Sequence, residues 1–312
     1  MLFRSMRSHM YRVPLNTFFV VNTLLQLYLT LKHFCARSTA KMTSSFCKMA
    51  IPTCFPFIAG LTITDYIYPK FNEQNKDGKL IIAIFAPLIG VALKVISRIC
   101  VQRLWNITHP GYSYVLLVPL YFGAAVTFRI LQADFDKKEY IALIGIIHGT
   151  AEVIERSTMV FIDHISHQIW KRQSAPWGSF RTPRRKRLMA DIVIMSMLFE
   201  STGIVAANGY LYLYQYIYVE NNSPFHLLKQ FAITTAISLM IEWFFTSASL
   251  AIETRYQNIP VMAVWRKKWK RHILVSIANV VPLAIWTSST MLVIIRGRFD
   301  VSGNESCKMP FS

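Results

Sequence analysis

Carboxylate side chains lie inside apolar stretches of this sequence, although the polar loops between those stretches would hold them at no energetic cost. A charge at the centre of a membrane-spanning helix costs about 2.5–3.5 kcal/mol on insertion scales, so such side chains are expected to face protein or water. They are therefore the first functional candidates. About half of the 16 acidic residues belong to this group: Asp65, Glu152, Glu155, Asp163, Asp191, Glu200, Glu242 and Glu253.

Three of these carboxylates, Glu152, Glu200 and Glu242, lie near the middle of consecutive apolar stretches. If they converge, their mutual repulsion at low dielectric requires a proton or a cation to make the cluster stable. His148, one helical turn before Glu152, can share such a proton, and Arg156, one turn after it, can neutralise the carboxylate permanently. The pattern therefore predicts a cluster that binds, relays or exchanges ions.

Two of the apolar stretches carry a polar stripe along one helical face. The stripe of the stretch 140–162 covers about a third of the helical circumference and is flanked by Gly145 and Gly149. Because small residues let a neighbouring helix approach closely, we predict that both stripes lie between helices. The first stripe consists of His148, Glu152, Glu155, Arg156 and Asp163, and the second of Thr235, Ser238, Glu242, Thr246, Ser249 and Glu253.

Two other interpretations of these residues remain open. Polar side chains also hold membrane helices together, at about 0.6 kcal/mol per contact, and a buried Glu–Arg pair can be purely architectural. His148 and Glu152 place two metal ligands on one helical face, which Glu200 and Glu242 can complete. That spacing occurs often by chance and no second histidine matches it, so neither a metal nor a cofactor is assigned.

The composition defines the elements that position these residues. The chain has 312 residues, of which 53% are hydrophobic and 16% charged, and its mean hydropathy of +0.34 excludes an ordinary soluble globule. The apolar residues come in blocks of about 20, the length that crosses a bilayer as a helix. We predict an all-α, polytopic helical membrane protein with about eight transmembrane helices, or seven if the first lies in the membrane interface. The predicted spans are 14–31, 49–69, 80–100, 114–131, 140–162, 189–215, 227–252 and 273–295.

Basic residues predict the orientation of the spans through the positive-inside rule. The chain divides into a basic, acid-free N-terminal segment (1–48), a transmembrane bundle (49–295) with cytosolic basic loops at 166–188 and 255–272, and a short non-cytosolic tail (296–312). The apolar run that follows the N-terminal arginines favours the secretory pathway or plasma membrane. The mitochondrial inner membrane is the alternative, because an acid-free basic start also resembles a mitochondrial targeting segment.

The formal net charge of +18 arises from 34 basic and 16 acidic residues. The basic residues form short clusters between apolar stretches, which favours anionic lipid headgroups over nucleic acid as the partner. Lys94 and Arg129 lie within apolar stretches and are expected to extend toward the membrane surface. The headgroup-binding candidates are Lys171, Arg172, Arg181, Arg184, Arg185, Lys186 and Arg187.

No nucleotide-binding loop, nucleophile elbow or zinc-protease motif occurs in the sequence. The buried carboxylates favour ion- or proton-linked transport through a polar interior formed by spans five to eight. A non-catalytic membrane subunit or scaffold that holds protein partners or anionic lipid is the first alternative. A metal-assisted intramembrane lipid-modifying enzyme is the second, and the absence of catalytic motifs favours a non-enzymatic role.

Overall fold

The computed structural model describes residues 2–34, 39–106, 110–133, 135, 138–171, 182–218 and 223–299, and these ranges contain helices and no strand. The predicted all-α class is confirmed. The α-helices are α1 (Leu2–Phe34), α2 (Thr39–Thr62), α3 (Tyr68–Glu73), α4 (Lys76–Gln102), α5 (Pro110–Ser113), α6 (Val118–Ala133), α7 (Lys138–Lys171), α8 (Pro183–Tyr218), α9 (Pro224–Arg255) and α10 (Val261–Phe299). A π-helix, Ile63–Ile67, joins α2 to α3.

Six helical segments in the described ranges are long and apolar enough to cross a membrane: Val13–Lys32, Thr43–Thr62, Asp77–Gln102, Tyr114–Gln132, Pro183–Ile217 and Pro224–Arg255. They are compatible with a multi-pass membrane protein. The other two predicted spans lie in α7 and α10, which are helices but are not among the six. The charged stripe of α7 lies in the middle of that helix. The total of eight spans therefore stays a prediction.

The basic segments predicted as loops are partly helical. Residues 166–171 complete α7, residues 183–188 begin α8, and residues 261–272 form the first turns of α10. These parts are helical in conformation, and their position between membrane spans stays a prediction. Lysine and arginine are good helix formers, so a run of basic residues does not by itself end a helix. In the predicted tail, α10 continues to residue 299, and residues 300–312 lie outside the described part.

The helices α6 and α8 form the centre of the bundle and are mostly buried. They pack closely because Gly203 of α8 faces Ala125 of α6, where an added Cβ would lie 3.2 Å from the alanine methyl group. Beside this contact, the rings of Phe122 and Phe199 meet edge to face at 5.5 Å. Around this centre α9 packs on α7 and α8, while α4 packs on α2, α6 and α7. One interior region is therefore bordered by five of these helices: α4, α6, α7, α8 and α9.

The helix α9 is polar on its buried face and apolar on its exposed face. Its large apolar side chains, including Met240, Trp243 and Phe244, are exposed. At 1.5 Å per residue the buried stripe from Thr234 to Glu253 is roughly 28 Å long, close to the thickness of about 30 Å of a bilayer's hydrocarbon core. Apart from Leu227, the buried residues of α9 are Thr234, Thr235, Ser238, Glu242, Thr246, Ser249 and Glu253.

Gly145 and Gly149 lie where α7 approaches its neighbours, as predicted. A Cβ added at Gly149 would lie 2.4 Å from Cδ2 of Phe245 on α9, and one at Gly145 would lie 3.2 Å from Nε2 of Gln132. The contact at Gly149 involves atoms near the backbone of Phe245, which cannot move away cheaply. This glycine therefore sets the separation of α7 and α9.

We expect Gly149→Ala to lower the free energy of unfolding by about 1–3 kcal/mol, the usual cost of overpacking. Gly209→Ala on α8 is the matched control, because nothing lies within 4 Å of a Cβ at that position. The control is expected to be neutral or stabilising, since alanine is the better helix former. Thermal unfolding of the purified protein in detergent measures both. Equal melting temperatures for the two variants would contradict the proposed contact.

Candidate functional site

The interior contains all six residues that the sequence predicts as ion- or proton-binding candidates. Each of them is less than one-tenth exposed. They come from three helices, α7, α8 and α9, and α4 and α6 add charged side chains to the same region. The six residues are His148, Glu152, Glu155, Arg156, Glu200 and Glu242.

Glu200 of α8 is the centre of this region. Its Oε1 accepts a hydrogen bond from Nζ of Lys94 on α4 at 3.3 Å. Its Oε2 lies 3.6 Å from Nε2 of His148 on α7 and 3.7 Å from a guanidinium nitrogen of Arg129 on α6. One carboxylate thus contacts charged or titratable groups from three other helices.

Arg129 links Glu200 to Glu242 of α9. The guanidinium group of Arg129 donates to Oε2 of Glu242 and also to Oε1 of Gln132, at 2.9 Å. The second oxygen of Glu242 accepts from the hydroxyl of Thr246 at 3.1 Å. Two of the three carboxylates predicted to converge therefore share one buried arginine.

The third carboxylate, Glu152, belongs to a second ion pair. Its Oε1 accepts from Ser196 Oγ and from Arg156, each at 3.3 Å. Arg156 also forms two parallel hydrogen bonds to Glu253 of α9, at 2.8 and 3.0 Å. Such a bidentate pair is among the stronger charge-assisted contacts in proteins. Glu155 is buried nearby and interacts electrostatically with Lys94.

A third group of charges lies one to two helical turns farther along α7. Asp163 accepts from Arg98 Nε at 3.3 Å, from Gln102 Nε2 at 2.8 Å and from Arg185 at 2.8 Å. Arg98 and Gln102 lie on α4 and Arg185 on α8. Asp163 therefore joins three helices.

The buried part of the described chain contains more carboxylates than permanent positive charges. Seven buried carboxylates face five buried lysine or arginine side chains, and Arg187, whose side chain is 25% exposed, pairs with one of the seven, Asp191. Because an unpaired buried charge is costly, the remaining negative charge favours the uptake of a proton or a cation. The carboxylates are Glu152, Glu155, Asp163, Asp191, Glu200, Glu242 and Glu253, and the bases are Lys94, Arg98, Arg129, Arg156 and Arg185.

Lys94 and Arg129 do not extend toward a membrane surface, and that prediction was wrong. Lys94 is 3% and Arg129 5% exposed. Each forms an ion pair with a carboxylate on a neighbouring helix. This pair stabilises the positive charge, so the side chain does not need to extend to water. The sequence does contain a signal for this burial, namely a single basic residue inside an apolar stretch. The energetic cost of a charge in a membrane-spanning helix applies to lysine and arginine as it does to carboxylates, so these bases are also expected to face protein.

Ligand atoms of His148, Glu152 and Glu200 lie within 4.8 Å of one another, a spacing that can hold a metal ion. Imidazole and carboxylate are ligand types that zinc accepts. The two carboxylates, however, already bond Lys94 and Arg156, and these positive charges oppose a divalent ion. The arrangement suits a proton better than a metal.

His148 Nε2 and Glu200 Oε2 are buried atoms without a hydrogen-bond partner in the described chain. They face each other at 3.6 Å, beyond the usual hydrogen-bond distance of about 2.7–3.2 Å. A small movement of either side chain joins them through one proton. The site therefore contains a histidine nitrogen and a carboxylate oxygen that have no hydrogen bond, and the nearest other charge to the oxygen is Arg129 at 3.7 Å.

Comparisons with protein-family models, with curated proteins and with solved structures find no match to this chain. Its function is therefore argued from the chemistry of the buried site.

Of the four predicted headgroup-binding residues whose side chains the structure describes, Arg185 is buried and does not share an exposed surface with the other three. Arg184 is exposed and Lys186 is half-buried, whereas Arg187 bonds Asp191 at 3.0 Å. Arg185 lies in the interior on Asp163. Lys171 is the last residue of α7, and its side chain lies outside the described part, as do Arg172 and Arg181. The remaining candidates for lipid contact in the described region are thus Arg184, Lys186 and Arg187.

Proposed function

We propose that the chain is a multi-pass membrane protein that links the movement of a proton, or of another cation, to transport through its polar interior. The observation that carries the proposal is the buried pair of His148 and Glu200, whose facing atoms have no other hydrogen-bond partner in the described chain. A titratable pair that is kept away from water and partly unsatisfied is the arrangement that proton-linked membrane proteins need.

A line of polar groups leads from Thr234 and Thr235 in the first half of α9 to this pair. Tyr212 and Thr234 are hydrogen bonded at 3.1 Å, and Asn208 donates to Thr235 at 3.2 Å. A polar cavity of about 10 Å³, lined in part by Asn208, Ser238 and Arg129, follows them. That volume is at the lower limit for one water molecule. Arg129 then connects this line to Glu242 and Glu200. The polar groups thus supply a route for a proton of about 12 Å along α9, from Thr234 to Glu242, at 1.5 Å per residue.

A proton taken up by His148 would change how the helices hold one another. The imidazolium attracts the Glu200 carboxylate more strongly than neutral imidazole does, and it competes for that carboxylate with Lys94 of α4 and Arg129 of α6. The contact between α7 and α8 therefore strengthens when the proton arrives and weakens when it leaves. Such a dependence of helix contacts on one bound ion is the basis of a two-state transport cycle.

The experiment that tests the proposal records charge movement directly. The purified protein is reconstituted into liposomes on a solid-supported membrane, and currents are recorded on steps of pH and of Na⁺, K⁺ and Mg²⁺ concentration. We expect a current that empty liposomes lack, and we expect Glu200→Gln and His148→Gln each to reduce it to the empty-liposome level. Glu139→Gln is the matched control, because Glu139 is an exposed carboxylate on the same helix as His148.

Two results would overturn the transport proposal. The first is a wild-type current equal to that of empty liposomes under every step. The second is a set of variants that all retain the wild-type current, which would show that the buried pair moves no charge. Glu152→Gln and Glu242→Gln extend the same test to the other two carboxylates of the interior.

A second function, a non-catalytic membrane subunit, is favoured by the way the charges are paired. Lys94, Arg129 and Arg156 each bond a carboxylate on a different helix, which is what a purely architectural network would also do. If the variants only change thermal stability and no current is observed, the non-catalytic membrane subunit becomes the function that the data support. Purification in mild detergent would then be expected to retain one stoichiometric protein partner.

A further inference from the structure

A cavity of about 180 Å³ lies between α2, α4, α6 and α10, away from the polar stripe of α9. Gly60 and Gly90 form parts of its wall, and Gly123 of α6 borders open space, since nothing lies within 4 Å of an added Cβ there. The ring of Phe128 also lines the cavity and lies 6.0 Å from the His148 ring. Phe128 therefore separates the cavity from the buried charges.

Irregular helices keep this space open. The helix α2 contains Pro52 and Pro56 and leads directly into the π-helix, while α4 contains Pro87 and α10 contains Pro282. Proline and π-helical turns bend a helix and interrupt its regular packing surface. Three of the four walls are therefore unable to close against one another.

The cavity presents no free polar side-chain atom to an occupant. The hydroxyls of Thr62, Thr127 and Thr287 donate to backbone carbonyls one turn earlier, at 2.9, 2.8 and 2.9 Å. The indole nitrogen of Trp286 donates to Asn16 Oδ1 at 2.8 Å. An apolar cavity of about 150 Å³ in another protein stays dry and binds benzene. A cavity with this lining therefore accepts hydrocarbon and rejects water.

The opening of the cavity lies on the apolar outer side of the bundle. Its exposed lining residues are Ile58 and Thr62 of α2 and Ile89 of α4. The outer surface beside them is also apolar, with Phe85 and Leu88 exposed. An occupant therefore enters between α2 and α4 from an apolar medium rather than from water.

We infer that the cavity binds one acyl chain of a membrane phospholipid. The inference rests on the membrane location in the proposed function and is independent of transport. A phospholipid chain is hydrocarbon, is narrow enough to enter between two helices, and lies beside this opening whenever α2 and α4 are in a bilayer. It fills the space that the bent helices leave and so supports the packing of α2, α4 and α10 around α6.

The test uses the full chain in liposomes that contain a phosphatidylcholine with a photoactivatable diazirine in its acyl chain. After illumination, labelled residues are mapped by mass spectrometry. We expect label on Gly123 and Thr127 of the mostly buried helix α6, in addition to the outer surface of α4. Absence of label from these α6 residues in the wild-type protein overturns the inference, whatever the variants show.

The variant Gly123→Leu places a side chain in the open space without a Cβ clash. Gly209→Leu is the matched control, because it also has nothing within 4 Å of an added Cβ and does not line the cavity. Labelling of Thr127 should fall to background in Gly123→Leu and stay at the wild-type level in Gly209→Leu. Equal labelling of Thr127 in both variants overturns the inference. The readout does not involve His148 or Glu200, so its failure is distinct from a failure of the transport proposal.

Discussion

Arg156→Gln is expected to lower the free energy of unfolding by about 3–5 kcal/mol, the usual cost of removing one partner of a buried ion pair. The substitution removes two hydrogen bonds to Glu253 and one to Glu152. Both carboxylates then remain buried between α7 and α9 with no permanent positive charge at hydrogen-bond distance. Thermal unfolding in detergent, calibrated by steric trapping in micelles, measures the loss.

A second substitution separates the cost of the unpaired charge from the cost of the lost contact. In Arg156→Gln combined with Glu253→Gln, two neutral amides replace the pair and can hydrogen bond each other. The double variant should therefore recover part of the stability, since a buried pair replaced by neutral groups often costs little, while Glu152 still lacks its positive partner. Arg255→Gln, at an exposed position at the end of α9, is the control and should change stability by less than about 0.5 kcal/mol. A double variant that is no more stable than the single one would contradict this explanation.

The polar faces of the helices could be predicted from the sequence, because helical periodicity places residues three and four apart on one side. The stripe of α9 and the position of Gly149 against a neighbouring helix follow from that rule alone. The shared depth of Glu152, Glu200 and Glu242 also follows, because position along a helix fixes height in the bundle. Each of these predictions concerns one helix at a time.

The partners of these residues could not be predicted in the same way. Periodicity states which face of a helix is polar but not which other helix covers it. Several bases lie at suitable heights, and only the packing of α4 and α6 beside α8 selects Lys94 and Arg129 for Glu200. The burial of Arg185 on Asp163 has the same cause, since its sequence context, a run of basic residues, is typical of a membrane-surface anchor.

The cavity between α2, α4, α6 and α10 could not be predicted from the sequence either. Pro56, Pro87 and Pro282 mark places where helices bend, but a bend opens a space only if the neighbouring helices bend away from it. The hydrogen bond between Trp286 and Asn16 joins residues 270 positions apart, and no local pattern relates them. The sequence therefore identifies the irregular elements, whereas their joint effect depends on the tertiary packing.

Asp163→Asn is expected to destabilise the protein at least as strongly as Arg156→Gln, by about 3–5 kcal/mol or more. Asp163 is 1% exposed and is shared by two arginines, so its neutralisation leaves two buried cations and not one. Arg98 is completely buried, and its two terminal nitrogens have no hydrogen-bond partner in the described chain. The folded fraction after purification and the melting temperature measure the effect. Asp77→Asn, at the exposed start of α4, is the control and should cost less than about 1 kcal/mol.

Asp163 is shared by two arginines, as Arg156 is shared by two carboxylates, so one added substitution cannot remove all the unpaired charge. Adding Arg185→Gln to Asp163→Asn leaves Arg98 buried without a counter-charge, and adding Arg98→Gln leaves Arg185 in that position. Neither double variant should recover wild-type stability, whereas the triple variant, which removes all three charges, should recover part of it. Full recovery by either double variant would show that one arginine alone depends on Asp163. In that case α4 and α8 would not be held to α7 by the same carboxylate, and the pairing of the other arginine with Asp163 would contribute no stability.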